Sequence, residues 1–230
     1  MSLKVLAQKT VLVTGASGGL GHDVCRVFQQ AGALVAGVAR HPDQLDHCNI
    51  RLTGDLTTPE GAAACIEAFL TVCPKLDVVV HLMGGFASDG TAQQTSSETW
   101  DRMMNLNARA AFLLFHEALP QMVAQGNGRI IAVGSRAAVA TPAGLSAYAA
   151  SKAALHALVQ VIAAENVHTG VTANVVMPST IDTAVNRAAM PGADPALWVS
   201  PDSISGLLVW LASDASQDVN GALIPIYGRS

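Results

Sequence analysis

The stretch Thr10-Val-Leu-Val-Thr-Gly-Ala-Ser-Gly-Gly-Leu-Gly21 decides the fold. A β-branched run gives way to glycines, and a helical stretch follows from Gly19 to Ala31 before a second apolar run, Ala33-Leu-Val-Ala-Gly-Val38. Strand, turn, helix and strand in that order are the signature of a parallel β-α-β unit. Glycines at the opening of the helix leave bare backbone amides at its positive end, where a pyrophosphate can approach closely.

Outward from this unit the alternation continues. Strands are expected at Ile50–Thr53, Asp77–His81, Arg129–Val133, Val171–Val176 and Ala222–Ile226, with helices over Pro59–Val72, Ser97–Ala124, Ser146–His168 and Pro201–Ala212. The apolar runs are continuous, as in strands buried on both faces. The expectation is one α/β domain over residues 1–230: a doubly wound, mainly parallel seven-stranded sheet with helices on both faces. The rhythm breaks between Pro178 and Ser200, where three prolines and a glycine interrupt any period. A long irregular segment in a compact domain is commonly functional, so residues 179–200 are expected to act as a substrate lid.

Composition narrows the function. Half of the 230 residues are hydrophobic and 13% are charged, enough to fill one core. A net charge of -4 with four lysines leaves no basic stripe for nucleic acid. No uninterrupted apolar run approaches membrane-span length and the first ten residues hold no long apolar region, so a soluble, cytoplasmic protein without membrane partners is expected. Cys25, Cys48, Cys65 and Cys73 form no Cys-x-x-Cys pair and are expected to be free thiols. His41, His47 and Cys48 sit close in sequence, but their spacing matches no zinc pattern, and no metal is expected.

If the first turn holds a dinucleotide, Gly15, Ser17, Gly18, Gly19, Leu20 and Gly21 are its expected contacts. The second strand then ends at Ala39-Arg40, where an acidic residue would accept from ribose hydroxyls and an arginine can hold a 2′-phosphate. Arg40 therefore favours NADP(H) over NAD(H). Farther on, Tyr148 and Lys152 stand at i and i+4 in Ser146-Ala-Tyr-Ala-Ala-Ser-Lys152, on one face of a helix. An ammonium beside a phenol favours the phenolate, which suits the tyrosine to general acid–base work. Ser135 follows the strand ending at Val133, at the sheet edge where doubly wound folds bind ligands.

These residues together resemble the short-chain dehydrogenase/reductase family. Thr14 to Gly21 is similar to its Thr-Gly-x-x-x-Gly-x-Gly loop, and its Ser, Tyr and Lys fall on Ser135, Tyr148 and Lys152. The resemblance implies a Rossmann-type enzyme transferring a hydride between a nicotinamide cofactor and a small-molecule carbonyl, alcohol or pteridine-like substrate. It places the family's catalytic Asn on Asn107, there expected to hold a water bonded to the lysine, with Asn105 as the neighbouring alternative. It also implies cofactor contacts at Asp55, Leu56, Gly84, Tyr148, Lys152, Pro178, Ile181 and Thr183, and a homodimer or homotetramer. The chain departs from the family twice: Asn-Asn-Ala-Gly is His81-Leu-Met-Gly84 here, and the Pro-Gly glycine is Ser179.

Two stretches look locally like dihydropteridine reductase: Met83-Gly-Gly-Phe-Ala87, and Pro178 through Trp198. That likeness makes Phe86, Ser179, Asn186, Met190 and Trp198 expected substrate contacts, with Met190 and Trp198 as apolar faces over a flat ring, while Ser135, which belongs to the set expected of ordinary carbonyl reductases, is the contact expected to orient a substrate oxygen. The competing class is a non-catalytic NAD(P)-binding redox sensor, since a fold alone establishes no turnover.

Overall fold

The computed structural model describes residues 4–229. Seven parallel strands form one sheet in the order β3-β2-β1-β4-β5-β6-β7: β1 (Thr10–Thr14), β2 (Leu34–Ala39), β3 (Ile50–Thr53), β4 (Val78–His81), β5 (Gly128–Val133), β6 (Val171–Pro178) and β7 (Leu223–Ile226). The chain winds from β1 outward to β3, then returns to lay β4 on the other side of β1. The strand order therefore reverses between β1 and β4, and the crevice beyond their carboxyl ends is where doubly wound sheets bind ligands.

Each face of the sheet is covered by its own helices. On one side α2 (Pro59–Val72), α4 (Ala110–Gln125) and α6 (Ser146–Glu165) pack Phe69, Phe115 and Leu155 onto Leu12, Val79 and Ile130. On the other, α1 (Gly21–Gln30) and α8 (Pro201–Ala212) pack Phe28 and Leu208 onto Val11, Val80 and Ile131. Alternate residues of one strand thus feed two cores, the reason the strands carry unbroken apolar runs. Phe28, Phe69 and Phe115 are fully buried, and truncating any of them to alanine would cost about 3 to 5 kcal/mol.

Local chemistry sets the helix starts. The hydroxyls of Thr58 and Ser200 accept from Gly61 N and Ser203 N, and Pro59 and Pro201 follow at the first helical position. Helix α1 begins at Gly21 instead of Gly19, because Gly18 O is taken by Gly21 N and His22 N in the turn that closes the glycine loop.

Two sequence expectations change. The single helix expected over Ser97–Ala124 is α3 (Ser97–Met104) and α4, joined by a π-helical turn over Asn105–Arg109. The expected irregular segment 179–200 carries α7 (Ala184–Ala189), a 3-10 turn at Pro195–Leu197 and a bridge between Ile181 and Val199. A short α5 (Ala137–Ala140) lies between β5 and α6. Among the described residues, α6 alone has the length and mean hydropathy, 1.2, of a membrane span; half of that window is buried, as in a core helix packed on a sheet.

Candidate active site

The glycine loop sits in the crevice at the strand-order reversal. Gly15 has φ +66°, and a Cβ there would lie 2.8 Å from Met83 N, so the loop can lie against the end of β4 only with glycine at this position. From this point a groove of about 570 Å³ runs along Gly15, Ser17 and Gly18, past Ala39 and Arg40, to Asp55 and Leu56, with Gly84 and Leu106 on its far wall. Its size and glycine-built floor fit a dinucleotide. Arg40 is exposed at the groove edge. Asp55 accepts from Thr57 N at 3.0 Å and from the Thr57 hydroxyl at 2.7 Å, which lowers its pKa.

Three of the loop's expected contacts are placed differently from the rest. Leu20 packs into the core beneath α1, Gly21 is buried at the helix start, and Gly19 faces Thr183, whose Cβ would stand 3.2 Å from an added Cβ. Thr183 caps α7 by accepting from Asn186 N. Ile181 packs against the same core as Leu20, and Pro178 O, at the end of β6, accepts from Arg136 N.

At the inner end of the groove, α6 delivers one face. Tyr148, Lys152 and His156 lie at i, i+4 and i+8, so all three project toward the end of β5. Burial raises the pKa of the Tyr148 phenol, and the neighbouring Ser135 hydroxyl, which itself accepts from Ala137 N at 3.1 Å, lowers it in part. Lys152 is 5% exposed, its Nζ donates to Val133 O at 3.0 Å, and burial brings its pKa down to about 8. His156 accepts from Ser135 N at 3.3 Å through Nε2, so the proton of the neutral ring sits on Nδ1. Its pKa falls to about 4, through burial first and the nearby lysine second.

Asn107 lies inside the π turn, fully buried. Its Nδ2 donates to Gly85 O and to the Ser151 hydroxyl, both at 3.0 Å, while its Oδ1 accepts from Gly85 N at 2.9 Å. Both amide protons are thus spent inside the chain. A Cβ on Gly84 would come within 2.6 Å of Asn107 Oδ1 and 3.2 Å of Lys152 Nζ, so the glycine is what lets asparagine and lysine share this wall. A π turn inside a helix is a recurrent mark of functional sites.

The neighbouring His81 occupies the first position of the altered motif. It is fully buried, shares a 3.0 Å hydrogen bond with Thr14 Oγ1 through Nδ1, and leaves Nε2 without a partner. Burial, then repulsion from Lys152, lowers its pKa to about 3.

The expected substrate contacts separate into two groups. Phe86 is 65% exposed and packs edge-on against Tyr148, with ring centroids 5.0 Å apart. Met190 is also exposed. Ser179 instead donates its hydroxyl to Tyr227 O at 2.7 Å, and Asn186 donates its amide to Ile181 O at 2.8 Å, so both are engaged in holding their own segment. Trp198 is half-buried, its backbone pressed against Gly228. Sequence reasoning missed His156, Ser151 and the groove residues Thr57, Met83 and Arg102. The i+8 spacing from Tyr148 was the one available signal, and it pointed to His156.

Residues 9–193 match the model of the short chain dehydrogenase family. The chain is 34% identical over 195 residues to the 2,3-dihydro-2,3-dihydroxybenzoate dehydrogenase of Escherichia coli, covering 85% of this chain and 75% of the relative. It is 27% identical over 239 residues to the NAD-dependent glycerol dehydrogenase of Listeria innocua, covering 97% and 94%. A short-chain type dehydrogenase/reductase from Mycobacterium ulcerans superposes with a TM-score of 0.90 at 28% identity, over 97% of this chain and 90% of that one. With its parallel sheet, glycine loop and groove, the chain belongs to the short-chain dehydrogenase/reductase family and is an oxidoreductase of the NAD(P)-dependent type.

Proposed function

We propose that this enzyme interconverts a small alcohol and its carbonyl, using NADP(H) in preference to NAD(H), with Tyr148 as general acid–base. The observation that carries this reading is the buried Lys152 on the same helix face as Tyr148, with the Ser135 hydroxyl beside the phenol. A bound nicotinamide would supply or accept the hydride. Tyr148 gives its proton to the substrate oxygen in reduction and takes it in oxidation. The Ser135 hydroxyl orients that oxygen, and its own position is held by the bond from Ser135 N to His156. Lys152 places positive charge beside the phenol and favours the phenolate. Asn107 holds Gly85, and through it the wall formed by Gly84.

The glycine loop and the groove from Ser17 to Asp55 and Leu56 would hold the dinucleotide, and Gly84, Pro178, Ile181 and Thr183 its nicotinamide end. Arg40 carries the proposed NADP(H) preference, since it is an exposed cation where a 2′-phosphate would lie. Residues 179–200 act as a lid, with Met190 as an apolar face. The alcohol and polyol substrates printed in the relatives' names support a hydroxylated substrate. A pteridine-like ring is the second substrate class, favoured by the exposed Phe86 ring against Tyr148. The shallow apolar depression among Met104, Phe112 and Leu158, on α3, α4 and α6, supports assembly as a homodimer or homotetramer.

The test is to titrate purified protein with NADPH and NADH, then follow nicotinamide absorbance with a panel of ketones, diols, 3-oxoacyl thioesters and quinonoid dihydropterin. Turnover of a carbonyl or alcohol with tighter NADPH binding is the expected result. Cofactor binding without turnover of any of them would point instead to a sensor.

A further inference from the structure

Away from the groove's inner end, the segment entering β3 packs against α1 and brings together residues that are 23 positions apart in sequence. Cys25 and Cys48 place their sulfurs 3.7 Å apart, and a ring nitrogen of His47 joins them so that the three ligand atoms all lie within 4.8 Å of one another. We propose that Cys25, Cys48 and His47 bind a single zinc-class cation, with His22 at the open side of the site.

The spacing fits that ion. Two thiolates held at about 2.3 Å from a tetrahedral zinc stand about 3.8 Å apart, so the sulfurs need almost no movement to bind it. Ligation through Nδ1 needs the tautomer that the backbone already imposes on this ring. His47 Nε2 lies 3.0 Å from Ala16 O, and a carbonyl can only accept, so Nε2 carries the proton and Nδ1 keeps its lone pair. A backbone carbonyl on the far nitrogen is the usual outer support of a metal-bound imidazole.

His22 lies one helical turn before Cys25 on α1 and is exposed, with its ring centroid 4.4 Å from that of His47. His22 stands outside the set of ligand atoms within 4.8 Å, and a turn of its exposed side chain would bring in a fourth donor, completing a two-sulfur, two-nitrogen set whose tetrahedral geometry suits zinc. Two thiolates also balance the dication, so the nearly enclosed site would be neutral overall. Cys25 is fully buried and Cys48 is 8% exposed, which would make an uncompensated charge costly there. Room for the Cys48 sulfur comes from Gly37 on β2, where a Cβ would stand 2.5 Å from it.

The cation would pin the first turns of α1 to the entry of β3, and through His47 and Ala16 it would brace the glycine loop. The sequence spacing of His41, His47 and Cys48 matches no zinc pattern because the second sulfur comes from another element. In the fold Cys25, not His41, completes the set.

The experiment is a cobalt(II) titration of the full-length, chelator-stripped protein, kept reduced with a phosphine. The expected result is visible absorption of tetrahedral cobalt with near-ultraviolet thiolate charge transfer, saturating at one equivalent and displaced by zinc. Cys48→Ser should cut the charge-transfer band by half or more, and His47→Gln, at a part-exposed position, should weaken cobalt binding about ten-fold or more. Circular dichroism and a cooperative thermal transition confirm that each variant is folded. Folded, reduced wild-type protein that shows no tetrahedral spectrum overturns the proposal. So does a spectrum that survives unchanged in both folded variants, because the metal would then lie elsewhere.

Discussion

Lys152 and His156, one turn apart on α6, hold the end of β5 between them: Lys152 Nζ donates to Val133 O at 3.0 Å and His156 Nε2 accepts from Ser135 N at 3.3 Å. Both side chains are buried, and burial disfavours the charged form of each. The histidine, brought to about 4, is neutral at pH 7, while the lysine, at about 8, keeps its proton. A single positive charge is therefore held under the Tyr148 phenol, and a neutral acceptor fixes the backbone of Ser135.

That charge costs stability, which Lys152→Met should reveal. Folding lowers the lysine's pKa from 10.5 to about 8. Below pH 8 both folded and unfolded chains are protonated and the full penalty applies, on the order of 3 kcal/mol. Between pH 8 and 10.5 the folded state loses its proton first, so the penalty fades as pH rises. Against it stands one lost hydrogen bond to Val133 O, worth about 1.5 to 3 kcal/mol because its donor is charged. The variant should melt no lower than the wild type at pH 7 and lose ground to it toward pH 10, and turnover should fall by about a hundred-fold or more. A lower melting temperature at pH 7 would show that the ammonium is stabilised by something other than Val133 O.

Tyr148→Phe should separate binding from chemistry. It removes the hydroxyl that meets Ser135 and keeps the ring that packs edge-on against Phe86. Cofactor affinity should change by less than about three-fold, whereas kcat should fall by about 10² to 10⁴, the range for loss of a general acid–base. Stopped-flow binding and steady-state rates on the same preparation decide it, and an unchanged kcat would remove Tyr148 from the proton path.

Much of this arrangement is legible in the chain because local spacing carries it. Tyr148 and Lys152 share a face by helical period alone, and Ser135 reaches them because β5 ends at Val133. The seven strands are legible because burial on both faces leaves continuous apolar runs. What sequence does not show is which carbonyl an amide or hydroxyl selects. Asn186 turns to Ile181 O and Ser179 to Tyr227 O because the folded segment puts those oxygens within reach. The π turn around Asn107 is hidden for a similar reason: its residues have ordinary helix propensity, and the side chain's bonds to Gly85 and Ser151 form only once β4 and α6 are in place.

For Arg40→Ala the expected loss is selective. Arg40 is exposed at the groove edge, after β2, and Ala39 offers no carboxylate to ribose hydroxyls. NADPH affinity should fall by about ten-fold or more, while NADH affinity changes by less than about three-fold. Isothermal titration with both nucleotides measures this, and equal losses would count against a 2′-phosphate contact.

His81 should make the fold acid-sensitive in a defined window. Its pKa is lowered from 6.5 to about 3, because the ring is fully buried and faces the Lys152 charge. Above pH 6.5 neither folded nor unfolded chain protonates the ring, and its neutral form costs nothing extra. As pH falls from 6.5 toward 3, the unfolded chain takes up a proton that the folded chain refuses, so stability is lost progressively. His156, lowered to about 4, and His47 act in the same direction. In His81→Asn, one such proton disappears, and an amide in that place can still meet the Thr14 hydroxyl without leaving Nε2 unpartnered. Urea unfolding at pH 6.5, 5.5 and 4.5 should show the variant losing about 1.4 kcal/mol less per pH unit than the wild type in the lower part of this range. Parallel slopes would mean that His81 is already protonated in the folded protein, and that Nε2 has an acceptor.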